Sequence, residues 1–200
     1  MMPITGLIRT GARIITNLAQ MQRVSARWPY SKPVVAEARV IHWLRGETAI
    51  GPIALAATAQ GICHLSFAAD PAFLIKAFPK CDRLEGGPWA AQFLDRVIQA
   101  IEQPLFSHDL PLDPQGTEFQ HKVWAEVCRI PAGETRSYSS IAATIGRPKA
   151  IRAVGTANGS NPIAVLIPCH RLVRSNGALA GYAYGLDRKQ WLLDKERQER

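Results

Sequence analysis

In SSIAATIGRPKAIRAVGTA, residues 139–157, two short helical patterns meet at one glycine. Ser139 to Ile145 reads as a first helix and Gly146 as its break, and Pro148 suits the first position of a second helix running to Ala157. The pair Ser137 to Ile145 and Pro148 to Ala157 has the length and turn chemistry of a helix-turn-helix, and on that alone equally of any two packed short helices. Charge separates the two. From Arg136 through Arg174 there is no Asp or Glu, while Arg147, Lys149, Arg152 and Arg171 all fall inside, so the surface is suited to face phosphates. The second helix is made of small residues, Ala150, Ala153, Gly155, Thr156 and Ala157, with few donors for base edges. Such a helix approaches a shallow groove closely without spelling sequence, and Arg152, the long side chain among them, can enter the stack where a base has left.

Working upstream, Ile130-Pro131-Ala132-Gly133 is a turn, a helix is expected from about Phe119 to Arg129, and Thr117 with Gln120 has capping-box spacing. Phe106 to Gly116 is a proline-bearing connection. Before it, Ile50 to Ala57 and Ile62 to Phe67 read as a hairpin turning at Ala59-Gln60-Gly61. Trp89, Phe93, Val97 and Ile101 put an apolar face on a helix that can cover this small sheet. The expected organisation is an acidic-free leader over 1–36, an N-terminal sheet-plus-helix domain over 37–106, a linker over 107–116 and a C-terminal domain over 117–200. The fold class is α+β: a small antiparallel sheet with helices, then a mainly helical, winged-helix-like domain built on the helix-turn-helix.

Two hundred residues with 47% hydrophobic composition can bury a proper core, and the formal charge of +8 points to a partner rich in phosphate, nucleic acid first. No apolar run reaches the roughly 18 to 20 residues of a membrane span, so no membrane partner is expected. The leader carries Arg9, Arg13, Arg23, Arg27 and Lys32, a composition shared by transit segments and plain leaders. Cys63, Cys81, Cys128 and Cys169 lie far apart, which suggests a reducing compartment rather than a disulfide framework. A metal gathered by Cys63-His64 and Cys169-His170 is set aside, because adjacent ligands rarely both reach one tetrahedral ion. No metal or cofactor is expected.

The remaining question is Cys169, in Leu166-Ile-Pro-Cys-His-Arg-Leu-Val173 after an apolar run. A cysteine there is most often a small buried hydrophobe, but His170 and Arg171 are the neighbours that make a thiol nucleophilic.

At this point the chain resembles the O6-alkylguanine-DNA alkyltransferases, the methylated-DNA–protein-cysteine methyltransferases, in a form closest to their bacterial adaptive-response branch. The resemblance rests on Ile167-Pro-Cys-His-Arg171 preceded by Asn161-Pro162, on Gly133-Glu-Thr-x-Ser-Tyr138, on Pro148-Lys-Ala-x-Arg-Ala-Val-Gly155, and on Gly181-Tyr182, Leu186-x-x-Lys189 and Leu192-Leu-x-x-Glu196. It covers roughly residues 117 to 197 in order. It implies direct-reversal DNA repair, with Cys169 as alkyl acceptor, His170 relaying its proton through a water, Glu196 orienting the imidazole and Asn161 supporting the turn that presents the thiol. It further implies that Tyr138 contacts the phosphate beside the target nucleotide, Arg152 fills the vacated stack and Tyr182 lines the base pocket. Ala150, Ala153, Gly155 and Arg171 complete the DNA-facing set. The partner implied is double-stranded alkylated DNA, bound by a monomer with room for cooperativity, in the cytoplasm.

The chemistry agrees: a soft thiolate is the right nucleophile for displacement at an alkyl carbon, and the thioether product has no acyl carbon for water to attack. The protein therefore turns over once. The bulk of Tyr184 beside Tyr182 suggests ready acceptance of methyl and poor acceptance of benzyl. Two other readings remain at this level: a DNA-binding lesion sensor or regulator without chemistry, which needs neither Cys169 nor His170, and a thiol hydrolase, whose nucleophile and base usually come from separate segments.

Overall fold

The computed structural model describes residues 40–67, 72–104 and 109–198. The leader expected over residues 1–36 lies outside them.

The N-terminal half is a four-stranded sheet in the order β3-β2-β1-β4, from β1 (Val40–Gly46), β2 (Ile53–Thr58), β3 (Gly61–Ser66) and β4 (Asp82–Glu85). The expected hairpin is β2 and β3, antiparallel with Leu55 opposite Leu65. β1 also pairs antiparallel to β2, whereas β4 joins β1 in parallel, so the sheet is mixed. Every residue of β2 is buried, because both faces of this inner strand are covered. One face packs on α2 (Pro88–Glu102) through Phe93, Val97 and Ile101; the other holds a smaller cluster of Ile41, Trp43, Cys63 and Leu74, the last from α1 (Ala72–Ala77).

The C-terminal half contains α3 (Glu118–Cys128), α4 (Tyr138–Thr144), α5 (Ile151–Gly159) and α6 (Leu186–Gln198), with a two-stranded parallel sheet of β5 (Arg136–Ser137) and β6 (Leu172–Val173). The capping box forms at the start of α3: the Gln120 amide nitrogen donates to Thr117 Oγ1 at 3.3 Å, and Thr117 N donates to Gln120 Oε1 at 2.7 Å. Ser137 caps α4 by accepting from Ser140 N at 3.1 Å. Gly146 takes a left-handed φ of 72° and turns the chain out of α4. The second helix starts at Ile151 rather than at Pro148, since residues 147–150 close a turn of their own with Ala150 N donating to Arg147 O at 2.8 Å. Its far end docks on α3, where Trp124 Nε1 donates to Ala157 O at 2.8 Å.

One continuous apolar core, from Ile53, Leu55 and Phe93 to Trp124, Ile163 and Leu192, runs through both halves. One backbone seam joins the halves, and a second ties β3 to the segment that connects them. Leu65 of β3 pairs with the segment at 162–164, donating to Pro162 O and accepting from Ala164 N, each at 2.9 Å. Ile62 likewise donates to Pro111 O at 2.9 Å and accepts from Asp113 N at 2.7 Å. Among the described residues no helix is long and apolar enough to cross a membrane.

Gly61 sits where the second seam is tightest: its φ is +149°, and a Cβ there would lie 2.5 Å from the Pro111 carbonyl oxygen. Gly61→Ala is therefore expected to lower stability by roughly 1–3 kcal/mol, as overpacking does, read as a lower urea midpoint at unchanged slope.

Candidate active site

The segment from Asn161 to Pro168 is a compact loop wound around one side chain. Asn161 Oδ1 accepts from Ile163 N at 2.9 Å, and its Nδ2 donates to Ile167 O at 2.8 Å, so a single amide closes the loop at both ends. The backbone is tight: Leu166 N reaches Ala164 O and Cys169 N reaches Ile167 O, each at 2.7 Å. Val165 has a φ of 64°, a conformation costly for a β-branched residue and held here by the surrounding bonds. The chain leaves the loop through a 3₁₀ turn, Cys169–Arg171. Asn158 of α5 donates to Cys169 O at 3.2 Å, which ties the second helix of the helix-turn-helix to the thiol-bearing turn.

The residue after Cys169 belongs to a buried charge cluster. His170 Nε2 is 2.8 Å from Glu196 Oε1, and both side chains have no solvent exposure. A carboxylate only accepts, so Nε2 carries the ring proton and Nδ1 is left with its lone pair; Nδ1 makes no hydrogen bond among the described residues. Glu196 also accepts from Arg171 Nε at 3.1 Å and Nη2 at 2.9 Å, and from Gly133 N at 2.9 Å. Burial alone would raise this carboxyl, but His170 and the Arg171 guanidinium bring it down to about 2. Burial holds the His170 imidazole below its ordinary value against the pull of Glu196, and Arg171 and Lys189 push the same way. The relay is thus a neutral imidazole backed by an ionised carboxylate.

Burial pushes the Cys169 thiol up, opposed by the Asn161 amide and the Lys189 ammonium. The thiol therefore keeps its proton until a base takes it. Three phenols stand within its field: Tyr138, Tyr182 and Tyr184 are raised first by burial and then by Cys169, Tyr184 to about 12. Tyr182 is held far above the ordinary range and remains a hydroxyl donor at neutral pH, and that buried hydroxyl makes no hydrogen bond among the described residues.

The fold gathers Cys169, His170, Glu196 and Asn161 into one cluster, with Tyr138 and Tyr182 beside it. Tyr138 is brought there by β5, whose Ser137 pairs with Val173 just beyond the thiol turn. Arg152 and Ala153 lie exposed on α5, Gly155 is half-buried, and Ala150 stands at the helix N-cap. Arg171 differs from the expectation of a DNA-facing residue. Its guanidinium is occupied by Glu196 and, through Nη1, by Ile130 O at 2.6 Å, so we place it among the residues that position the relay.

Lys189 was not among the expected site residues. It is fully buried on α6, with Nζ donating to Leu172 O at 2.6 Å and Ala180 O at 3.2 Å. Its signal is positional, since Lys189, Leu192, Leu193 and Glu196 form the buried stripe of α6 and two of the four carry charge.

Comparison with known proteins supplies the family. Residues 118–198 match the 6-O-methylguanine DNA methyltransferase DNA binding domain, and residues 41–114 match the ribonuclease-like domain of the same methyltransferases. A methylated-DNA–protein-cysteine methyltransferase of Methanosarcina barkeri is 45% identical over 150 residues, spanning 75% of this chain and 93% of that protein. The bifunctional transcriptional activator/DNA repair enzyme Ada of Escherichia coli is 39% identical over 160 residues, 78% of this chain and 45% of that longer protein. Among solved structures, Mycobacterium tuberculosis OGT in complex with DNA superposes with a TM-score of 0.68 at 37% identity, covering 78% of this chain and 93% of that one. Two domain models matched in order and relatives this similar over three quarters of its length place the chain in the 6-O-methylguanine DNA methyltransferase family.

Proposed function

We propose that this protein repairs DNA by transferring an alkyl group, chiefly methyl, from guanine O6 to its own Cys169, once and irreversibly. The observation that carries the reading is the buried His170–Glu196 pair next in the chain to Cys169, on a turn tied by Asn158 to the second helix of a helix-turn-helix. The relatives' names, methylated-DNA–protein-cysteine methyltransferase among them, support the same reaction. The same reading takes double-stranded alkylated DNA as partner, bound by a monomer able to line up cooperatively, and the cytoplasm as location.

The exposed face of α5 lies against the duplex, where its small side chains permit close approach regardless of sequence, and arginines and lysines around it supply phosphate contacts that weaken with salt. The damaged nucleotide rotates out, at a cost of a few kcal/mol that is least where alkylation has weakened the pair. Arg152 enters the gap, Tyr138 holds the neighbouring phosphate, and Tyr182 offers its hydroxyl to the base. His170 Nδ1 receives the Cys169 proton through a water. Sulfur then attacks the alkyl carbon: the C–S bond forms, the C–O6 bond breaks, and its electron pair leaves with guanine, which is protonated. Asn161, Arg171 and Glu196 position these groups. The domain division at 107–116 fits this scheme, with 117–200 carrying both DNA binding and transfer.

Intact mass before and after incubation with a duplex holding one O6-methylguanine tests the reaction. The expected result is one increment of about 14 daltons, a methyl replacing the thiol hydrogen, mapped to Cys169 and absent from Cys169→Ala. An unchanged mass with the duplex still bound would turn the reading to a lesion-binding module. Arg152→Ala is expected to slow transfer from duplex by roughly tenfold or more, given the unstacking energy it offsets, and to slow reaction with the free modified base far less.

Acid stability follows from Glu196. Its folded pKa of about 2 lies below the ordinary 4.5, so its contribution is present above pH 4.5 and is lost as pH falls towards 2. His170, also depressed, adds a loss in the same direction below pH 6.5. Melting temperature should therefore fall steadily with acidification, and Glu196→Gln should flatten the segment between pH 4.5 and 2 while lowering stability at neutral pH.

A further inference from the structure

We infer that Phe67, supplied by the N-terminal sheet, is a specificity-determining positioning residue: through Tyr184 it sets how large an alkyl group the pocket at Cys169 accepts. The inference rests on the alkyl-transfer reading above and adds to it a function for the N-terminal half.

Three aromatic rings run in contact from the N-terminal sheet to Tyr182. Phe67, the residue after β3, meets Tyr184 edge-on at 5.4 Å between centroids and 72° between planes. Tyr184 meets Tyr182 in the same manner, at 5.5 Å and 76°. Tyr182 is the ring that the alkyl-transfer reading sets against the base, and Tyr184 packs directly on it; both phenols are raised by burial first and by Cys169 second. Rings in T-shaped contact constrain each other's tilt as well as their separation, so the angle of Tyr184 over the pocket is set from the Phe67 side.

Arg188 of α6 fixes the other half of this contact. Its guanidinium lies over the Phe67 ring at 5.4 Å, while Nη1 donates to Tyr184 O at 3.0 Å and Nε to Ile50 O at 2.8 Å. The ring of Tyr184 is thereby held by Phe67, and its backbone by the cation that also holds Phe67. Gly51 makes room for this arm: with φ at +110°, a Cβ on it would stand 2.9 Å from the Arg188 guanidinium. The base of the strut is fixed too, because Leu65, two residues before Phe67, is paired with Pro162 and Ala164 of the loop that presents the thiol. Pocket wall and nucleophile are therefore referenced to one strand of the N-terminal sheet.

A wall held in this way excludes groups larger than methyl until the strut is loosened. The test measures second-order rates of Cys169 alkylation by an O6-methylguanine duplex and by O6-benzylguanine, for the wild type, Phe67→Leu, Arg188→Gln, Tyr184→Ala and Phe67→Leu/Tyr184→Ala, with melting curves to establish that each is folded at the assay temperature. Phe67→Leu keeps an apolar side chain, at some loss of volume, and removes the ring contact. It is expected to raise the benzyl-to-methyl ratio roughly three- to tenfold, the range an edge-to-face contact supports. Arg188→Gln should move the ratio the same way, and the double variant should gain nothing over Tyr184→Ala, because Phe67 acts through Tyr184. A general loss of stability would lower both rates and leave their ratio in place. Methyl uptake by the wild type with a ratio unmoved in both Phe67→Leu and Arg188→Gln overturns this inference alone; no methyl uptake by the wild type overturns the alkyl-transfer reading with it.

Discussion

A carboxylate without solvent exposure is tolerable only when its charge is answered from several sides. Glu196 is answered by His170, by two nitrogens of Arg171 and by the backbone of Gly133. Those contacts join three separate pieces of chain: the last helix, the turn that carries the thiol and the turn after α3. The orientation of the imidazole is thus a by-product of closing the C-terminal half. Lys189, two turns earlier on the same helix, answers the carbonyls of Leu172 and Ala180 in the same fashion. One mostly polar helix therefore delivers both buried charges, and the site acquires its protonation pattern only when that helix docks.

The N-terminal sheet enters this arrangement through its edge. A strand edge is a row of unsatisfied donors and acceptors, and β3 satisfies part of its row with residues 111–113 and 162–164 instead of with another strand. The loop around Asn161 is consequently clamped from inside by its own amide and from outside by Leu65. This double clamp explains how Val165 keeps a left-handed backbone without a glycine's freedom.

The parts of this fold that depend on local rules were readable from the chain: the capping box at Thr117, the β2–β3 hairpin, the apolar face of α2, and the two helices hinged at Gly146. β4 escaped because Asp82, Arg83, Leu84 and Glu85 are all exposed on an edge, which leaves no alternation to read. The start of α5 moved three residues because the turn at 147–150 makes its own hydrogen bonds and excludes Pro148 from the helix. Within the site, the thiol, imidazole and glutamate were recognisable by resemblance and not by spacing, being set by contacts 26 residues apart. Arg171 reads as DNA-facing from its charge, but charge along a sequence has no direction, and the fold turns its guanidinium to Glu196 and to Ile130 O. Lys189 and the Phe67–Tyr184 contact depend on tertiary neighbours, and only a lysine within an apolar stripe hinted at the first.

Gly155 and Gly159 of α5 have open space where a side chain would stand. Neither is asked for by packing, and Gly155, inside the helix, leaves it about 1 kcal/mol weaker than alanine would. Judged by its own stability, then, α5 holds at Gly155 a residue that alanine would improve. The bare side of α5 is thus a surface kept low and open at the expense of the helix that bears it.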